Sequence, residues 1–281
     1  MRLADIVNEH RTALTDADRR LLQELMADPV LAPALSGSEL AARADLHEAA
    51  ATRLAQKLGF KGYPQFRAAL RQDALAEKPA EARPAERVRH RLGALGRGDL
   101  LPGLIDNEIA ALRSIGRYVN DAQLDRAARM IGAARHVHVY GRGHADSLVA
   151  LLARRLRRFG QAATPLPAEG RDLADSLMTV GKGDLVIAVA LRRVPKALSK
   201  LLRVARGREA ATLLIADAVG PTVAPAPDLL LWAPRGSGED FLTLGVPMLI
   251  CNAIVLKIAQ LDQRRSLAAL RRLAQLIEEF E

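Results

Sequence analysis

The chain has 281 residues, 49% of them apolar and 26% charged, which excludes a disordered chain, a fibre and a disulfide-stapled miniprotein. A single cysteine, Cys251, cannot form an internal disulfide or a cysteine-based metal site and points to a reducing compartment. The formal charge of +9 suggests an anionic partner, although residues 1–77 carry 10 Lys+Arg against 11 Asp+Glu.

Met1–Glu24 is charged throughout and lacks the apolar centre of a signal peptide. The longest apolar run, Leu244–Leu256, contains Gly245, Pro247 and Asn252 and is too short to span a bilayer. A soluble cytoplasmic protein without membrane contact is expected. Leu21, Leu22, Leu25 and Met26 give Thr15–Ala27 a helical pattern, with Thr15 or Asp16 as N-cap. Ser36-Gly37-Ser38 opens a short helix through Leu40 and Ala41, with Ser38 as its cap. Ala44-Asp45-Leu46 reads as a tight turn, a longer helix runs from about His47 to Leu58, and Gly59 ends it. Tyr63-Pro64 begins another helix. Residues 78–100, with Pro79, Pro84 and three glycines, read as a linker between a head at 1–77 and a second domain at 101–281.

Beyond the linker come helices at 103–117 and 121–133. Short apolar runs at His136–Tyr140, Ala162–Leu166, Leu185–Leu191, Ala211–Ala216 and Leu229–Trp232 then alternate with amphipathic helices near 145–159, 171–179 and 195–206. This alternation predicts an α/β domain with a parallel, doubly wound sheet of about five strands. An apolar helix at 241–260 and an amphipathic helix at Ser266–Phe280 close the chain.

Residues 36–58 have the proportions of a helix-turn-helix, making the head an all-α DNA-binding domain. Leu46, Ala49, Leu54 and Leu58 should face its core. Arg53, Gln56 and Lys57 should project outward, with His47 and Glu48 at the leading end and Lys61 and Arg67 set for phosphates. Ser38 and Thr52 complete the candidate DNA interface. The stretch 49–72 holds Arg53, Lys57, Lys61, Arg67 and Arg71 and no acid. Pattern alone would also fit a plain three-helix bundle with a solvated charged face.

Ser38-Glu39-Leu40-Ala41, Arg53 and Lys57-Leu58-Gly59-Phe60 followed by Phe66 resemble the N-terminal domain of the MurR/RpiR family, bacterial transcription regulators named after control of sugar and amino-sugar metabolism. Asp45 departs from the family's turn glycine, His47 from its capping serine and Ala50 from its common threonine. The Ala50 change is expected to alter which operator is read. The resemblance implies a double-stranded DNA operator as partner, and for residues 101–281 a sugar-isomerase (SIS) type fold that senses a small molecule or serves to oligomerise.

Tyr140-Gly141-Arg142-Gly143-His144-Ala145-Asp146-Ser147 runs from a strand into a helix, where backbone N–H groups can face an anion. In the family, loops rich in serine and threonine hold a sugar phosphate. Here Ala145 replaces a serine, leaving Ser147 as the nearest hydroxyl. The loop after the third strand reads Ala190-Leu191-Arg192-Arg193-Val194-Pro195-Lys196, and Asp217-Ala218-Val219-Gly220-Pro221 also lacks serine. Either Gly141, Gly143, His144, Ser147, Arg192, Arg193 and Lys196 form an altered site for a sugar-phosphate or other anionic effector, or the ancestral pocket is lost. The clustered His136, His138, His144 and Asp146 invite a metal reading that no ligand pattern supports. Glu239 and Asp240 read as helix-start acids rather than an acid/base pair. No catalytic residue, cofactor or metal is assigned. The reading is a regulator, at least a homodimer or a tetramer because operator dyads match protein two-folds. The alternative is a sugar-phosphate isomerase-like enzyme.

Overall fold

The computed structural model describes residues 6–7, 9–27, 35–76, 100–236 and 242–281. The chain divides into two compact units, with the N-terminal helices in one and the sheet in the other. The expected linker at 78–100, apart from Leu100, and Glu239 and Asp240 lie outside the described residues.

In the first unit, α1 (Asp16–Ala27), α2 (Gly37–Arg43), α3 (Ala49–Lys57) and α4 (Tyr63–Ala76) enclose one apolar core. Thr15 caps α1. Its hydroxyl accepts from the Asp18 N–H at 3.3 Å, while the Asp18 carboxylate accepts the Thr15 N–H at 2.8 Å. The cap of α2 is Ser36, not Ser38. Ser36 Oγ accepts the Glu39 N–H at 3.2 Å and Glu39 accepts the Ser36 N–H at 2.7 Å, a reciprocal capping box. Glu39 lies three residues after Ser36, as the box requires, whereas the third residue after Ser38 is the buried Ala41. The Ser38 hydroxyl lies 3.1 Å from that of Ser36.

Between α2 and α3 the chain turns at Asp45, whose φ of +54° is the conformation a glycine would take more freely. Helix α3 begins at Ala49, two residues later than the sequence suggests. Its buried face is Ala50, Ala51, Leu54, Ala55 and Leu58, whereas Ala49 and Leu46 are only partly buried. Leu21, Leu22, Leu40, Leu54 and Phe66 fill the centre, with Tyr63 edge-on to Phe66 at 6.0 Å and its hydroxyl donating to the Leu35 carbonyl. Helix α5 (Leu100–Ser114) falls in the same unit.

The second unit is built on five parallel strands in the order β2-β1-β3-β4-β5: β1 (Val137–Tyr140), β2 (Ala163–Pro165), β3 (Leu185–Ala190), β4 (Ala211–Ala216) and β5 (Leu229–Trp232). All six residues of β3 are buried, as a central strand covered on both faces demands. Helix α6 (Asp121–Ala133) precedes the sheet and α7 (Asp146–Arg158) joins β1 to β2. Helix α8 (Gly170–Leu177) leads to β3 and α9 (Lys196–Gly207) joins β3 to β4. The crossover from β1 to β2 moves one way along the sheet and that from β3 to β4 the other, so the right-handed rule puts α7 and α9 on opposite faces.

Helix α10 (Gly245–Leu261) packs on α6 and α7, followed by α11 (Gln263–Phe280). Val246, Ile250, Cys251 and Ile254 of α10 are buried. Within it, Asn252 accepts from Arg155, and Lys257 pairs with Asp125 at 3.2 Å. Met248, Leu249 and Leu256 remain exposed. Among the described residues, no single helix is long and apolar enough to cross a membrane.

Burial pushes the Cys251 thiol up to about 12, so at neutral pH it is protonated as well as inaccessible. We expect no reaction with a thiol reagent such as DTNB in the native state and stoichiometric reaction after denaturation. Rapid native labelling would contradict the placement of α10.

Candidate nucleic-acid interface and anion site

The geometry of α3 sorts the head's charged residues. Its buried face leaves Thr52, Arg53 and Gln56 exposed on the opposite side, with His47 and Glu48 exposed just ahead of the helix. The Arg53 guanidinium makes no intramolecular hydrogen bond or ion pair among the described residues. Such a stripe can offer bidentate donors and acceptors to base edges. Lys61 is exposed and Arg67 half-buried at the start of α4. His47 partly replaces a capping serine, because its Nδ1 accepts the Ala49 N–H at 3.3 Å.

Lys57 does not belong to this stripe. Its ammonium forms an ion pair with the Asp18 carboxylate of α1, which is almost completely buried. The position lies between buried Leu54 and Leu58, at the edge of the core face, so its stem turns inward. Burial alone would push the Asp18 carboxyl up. The hydrogen bonds from Lys57 and Thr15 outweigh burial and hold it below the ordinary carboxylate range. Ala50 is buried as well, so the alanine at that position cannot touch an operator base directly.

In the second unit, strand order reverses between β1 and β3, and a doubly wound sheet opens a crevice at the carboxyl ends of strands there. The loops after β1 and β3 leave the sheet at that edge. Gly141 is buried, and a Cβ on it would lie 2.7 Å from Val149, so this glycine serves the approach of α7 to β1. Arg142 is paired with Glu169 at 2.7 Å. Gly143 and His144 are exposed in a short 3-10 turn, and the Ser147 hydroxyl donates to the His144 carbonyl at 3.0 Å, inside the loop itself.

The loop after β3 differs. The Arg193 N–H donates to the Leu191 carbonyl at 2.8 Å around Arg192, whose φ is +68°. Arg192, Arg193 and Lys196 are exposed, and none of the three side chains is engaged among the described residues. The Arg192 N–H donates to Asp217 Oδ2 at 2.9 Å, and Asp217, directly after β4, is buried. Asp217 is not among the residues that the loop pattern singles out. An acid closing a buried strand was the available signal.

The histidines of β1 take a different role. His136 Nε2 lies 2.9 Å from Thr164 Oγ1, while His138 Nε2 lies 3.8 Å from Asp184. Arg135 grips Asp184 with two bonds of 3.0 Å, and the Gly181 N–H adds a third at 2.9 Å. These groups line a cleft of about 590 Å³ with Thr164, Ser176 and Thr179. Burial and the neighbouring His136 push the His138 pKa down, so its imidazole is neutral at pH 7. His144 and Asp146 lie in the loop and helix beyond the strand's carboxyl end, away from this cluster. Among the described residues, no three His, Cys, Asp or Glu side chains are placed to hold a metal.

Residues 1–78 match the helix-turn-helix domain of the rpiR family, and residues 130–257 match the SIS domain. The chain is a transcription regulator with an rpiR-family helix-turn-helix domain and an SIS domain. It is similar to the uncharacterized HTH-type transcriptional regulator YfhH of Escherichia coli K12, at 28% identity over 69% of this chain and 67% of that one. It also matches the bifunctional protein glk of Paraburkholderia xenovorans at 26% identity over 76% of this chain, spanning about a third of that protein's length (33%). Among solved structures, the sugar isomerase domain of an RpiR transcription factor from Sphaerobacter thermophilus is 27% identical, with a TM-score of 0.57 over 63% of this chain and 98% of that one. The Vibrio vulnificus NanR protein complexed with ManNAc-6P is 18% identical, with a TM-score of 0.56 over 100% of this chain and 99% of that one, and shares the fold.

In this rpiR-family head, Lys57→Ala should lower stability by about 1–3 kcal/mol, because it leaves a buried carboxylate without its half-exposed cation. Asp18 has a depressed pKa, so its contribution is complete above the ordinary 3.8 and is lost as pH falls through the lower folded value. Urea denaturation from about pH 3 to 7 should show this acid-side loss in the wild type and a flatter profile in the variant. Equal profiles would remove the ion pair from the account. His47→Ser should raise stability by about 1 kcal/mol by restoring a hydroxyl cap. A lower thermal midpoint would show that the imidazole is the better cap.

Proposed function

We propose that this regulator reads a double-stranded DNA operator with the outer face of α3 and responds to a small oxyanion through the loop after β3. The observation that carries the reading is the stripe of Thr52, Arg53 and Gln56, exposed and backed by a closed core. His47, Glu48 and Ser38 border it, and Lys61 and Arg67 supply sequence-independent phosphate contacts. Lys57 acts through the fold instead. The head spans residues 1–77, the linker 78–100 and the sensing and oligomerising part 101–281.

The effector is a sugar phosphate or related oxyanion held by Arg192, Arg193 and Lys196, beside Gly141, Gly143, His144 and Ser147. NanR, which shares the fold, carries the sugar phosphate ManNAc-6P. Guanidinium forks suit such groups where hydroxyls are lacking. The protein acts in the cytoplasm as a homodimer or tetramer. Exposed Leu249 and Leu256 of α10, with Leu276 and Ile277 of α11, supply apolar surface for a second copy. Its role is regulatory rather than catalytic. An effector shifts the DNA-bound population only by binding the two arrangements with different affinity.

The test is fluorescence anisotropy on DNA from the protein's own upstream region against scrambled DNA at fixed salt. A specificity ratio of about a thousandfold is expected. Arg53→Ala should cost about 1–3 kcal/mol and relax sequence preference, while Lys61→Ala should weaken all DNA alike and flatten the salt slope. Unchanged affinity in Arg53→Ala would remove α3 from the interface, and turnover of a sugar phosphate would restore the isomerase alternative.

A further inference from the structure

Backbone strain coincides at Arg192 with a side chain that is unengaged among the described residues. A three-residue turn closed by the Arg193 N–H on the Leu191 carbonyl, with φ of +68° at its centre, is the rare and strained form of γ-turn. Glycine takes this conformation freely, whereas a long L side chain destabilises it. Strained residues persist only where surrounding structure over-determines them, and they cluster at functional sites. Here the over-determining group is visible. Asp217 is buried, its Oδ2 accepts the Arg192 N–H at 2.9 Å, and its Oδ1 accepts the Val219 N–H at 3.3 Å. One carboxylate thus joins the loop after β3 to the loop after β4, at the carboxyl edge of two adjacent strands.

We propose that Asp217 is a positioning residue that holds the loop after β3 in this left-handed turn and so presents Arg192 and Arg193 as paired forks for a phosphate or carboxylate oxyanion. The inference rests on the oxyanion-responsive reading above. In a hydroxyl-lined cradle the loop backbone itself faces the ligand. In this chain the Arg192 N–H of the loop is turned to an internal carboxylate, and ligand recognition passes to the side chains. Arg142, the cation after β1, is already paired with Glu169, which leaves the β3 loop as the cationic side of the edge.

The experiment has two arms on the full-length protein, with circular dichroism confirming the fold. In the first, inorganic phosphate is titrated by calorimetry at constant ionic strength. Wild type should bind saturably and Arg192→Ala/Arg193→Ala should not. Asp217→Asn should weaken binding about tenfold, although removing a negative charge beside three cations would by Coulomb's law alone tighten it. Tighter or equal binding in Asp217→Asn would overturn the positioning role while leaving the anion site standing. Absence of saturable binding in wild type would overturn the anion site itself and, with it, this presentation of the forks. In the second arm, limited trypsin cleavage after Arg193 reads the turn without any ligand. Asp217→Asn should speed cleavage about tenfold, since cleavage follows the population of the opened loop. In an Arg192→Gly background, where the turn is relaxed without its anchor, the same change should have less than about a twofold effect. Equal acceleration in both backgrounds, or none in either, would sink the proposal even if Asp217→Asn proved too unstable for calorimetry.

Discussion

An all-parallel sheet has no solvated face, and the second unit follows from that constraint. A central strand must be apolar on both sides, and here three of the four connections return through a helix to the starting edge, β4 and β5 being joined by a loop with a short 3-10 turn. With β1 followed outward by β2 and then by β3 on its other side, the chain reverses direction once along the sheet. The crossovers part at that reversal, the point at which doubly wound sheets generally hold their ligands. The apolar strands therefore fix where the loops after β1 and β3 diverge, before any polar residue is considered.

The loops at that edge are unlike a phosphate cradle of small hydroxyl residues. The Ser147 hydroxyl is engaged within its own loop, Gly141 admits a neighbouring helix, and the β3 loop carries arginines on a turn that would suit glycine. Guanidinium groups hold an oxyanion by planar forks and tolerate bulk nearby, so Val194 and Pro195 do not conflict with such a site as they would with a backbone cradle. Two carboxylates serve as internal counterparts at this edge: Glu169 for Arg142, and Asp217 for the backbone of Arg192.

The head shows how charge counted along a chain can mislead. The stretch 49–72 has five cations and no acid, yet one of its lysines is neutralised by Asp18, more than thirty residues earlier. This pairing removes Lys57 from the outward face and helps fasten α1 to α3. It also leaves Arg53, Thr52 and Gln56 as a compact polar stripe at the exposed centre of α3, where a few directional contacts carry more sequence information than a broad field of charge.

Much of this was legible in the sequence, because hydrophobic period and punctuation are local. The five apolar runs became the five strands, β4 and β5 with the residues anticipated, and Gly59 ends α3 with φ of +86°. Asp45 in the turn is likewise legible, since short polar side chains tolerate left-handed backbone. The start of α3 was not, because only closure of the core sets the helix phase, whereas the Ser36 cap is signalled by Glu39 three residues on. The partner of Lys57, the clasp of Arg135 on Asp184 and the bond from Arg192 to Asp217 join residues 25 to 49 positions apart. Composition and pattern determined the fold class, the helix-turn-helix and the cationic loop. Tertiary structure alone decided which cations stay unpaired, because that depends on which carboxylates folding carries to their side.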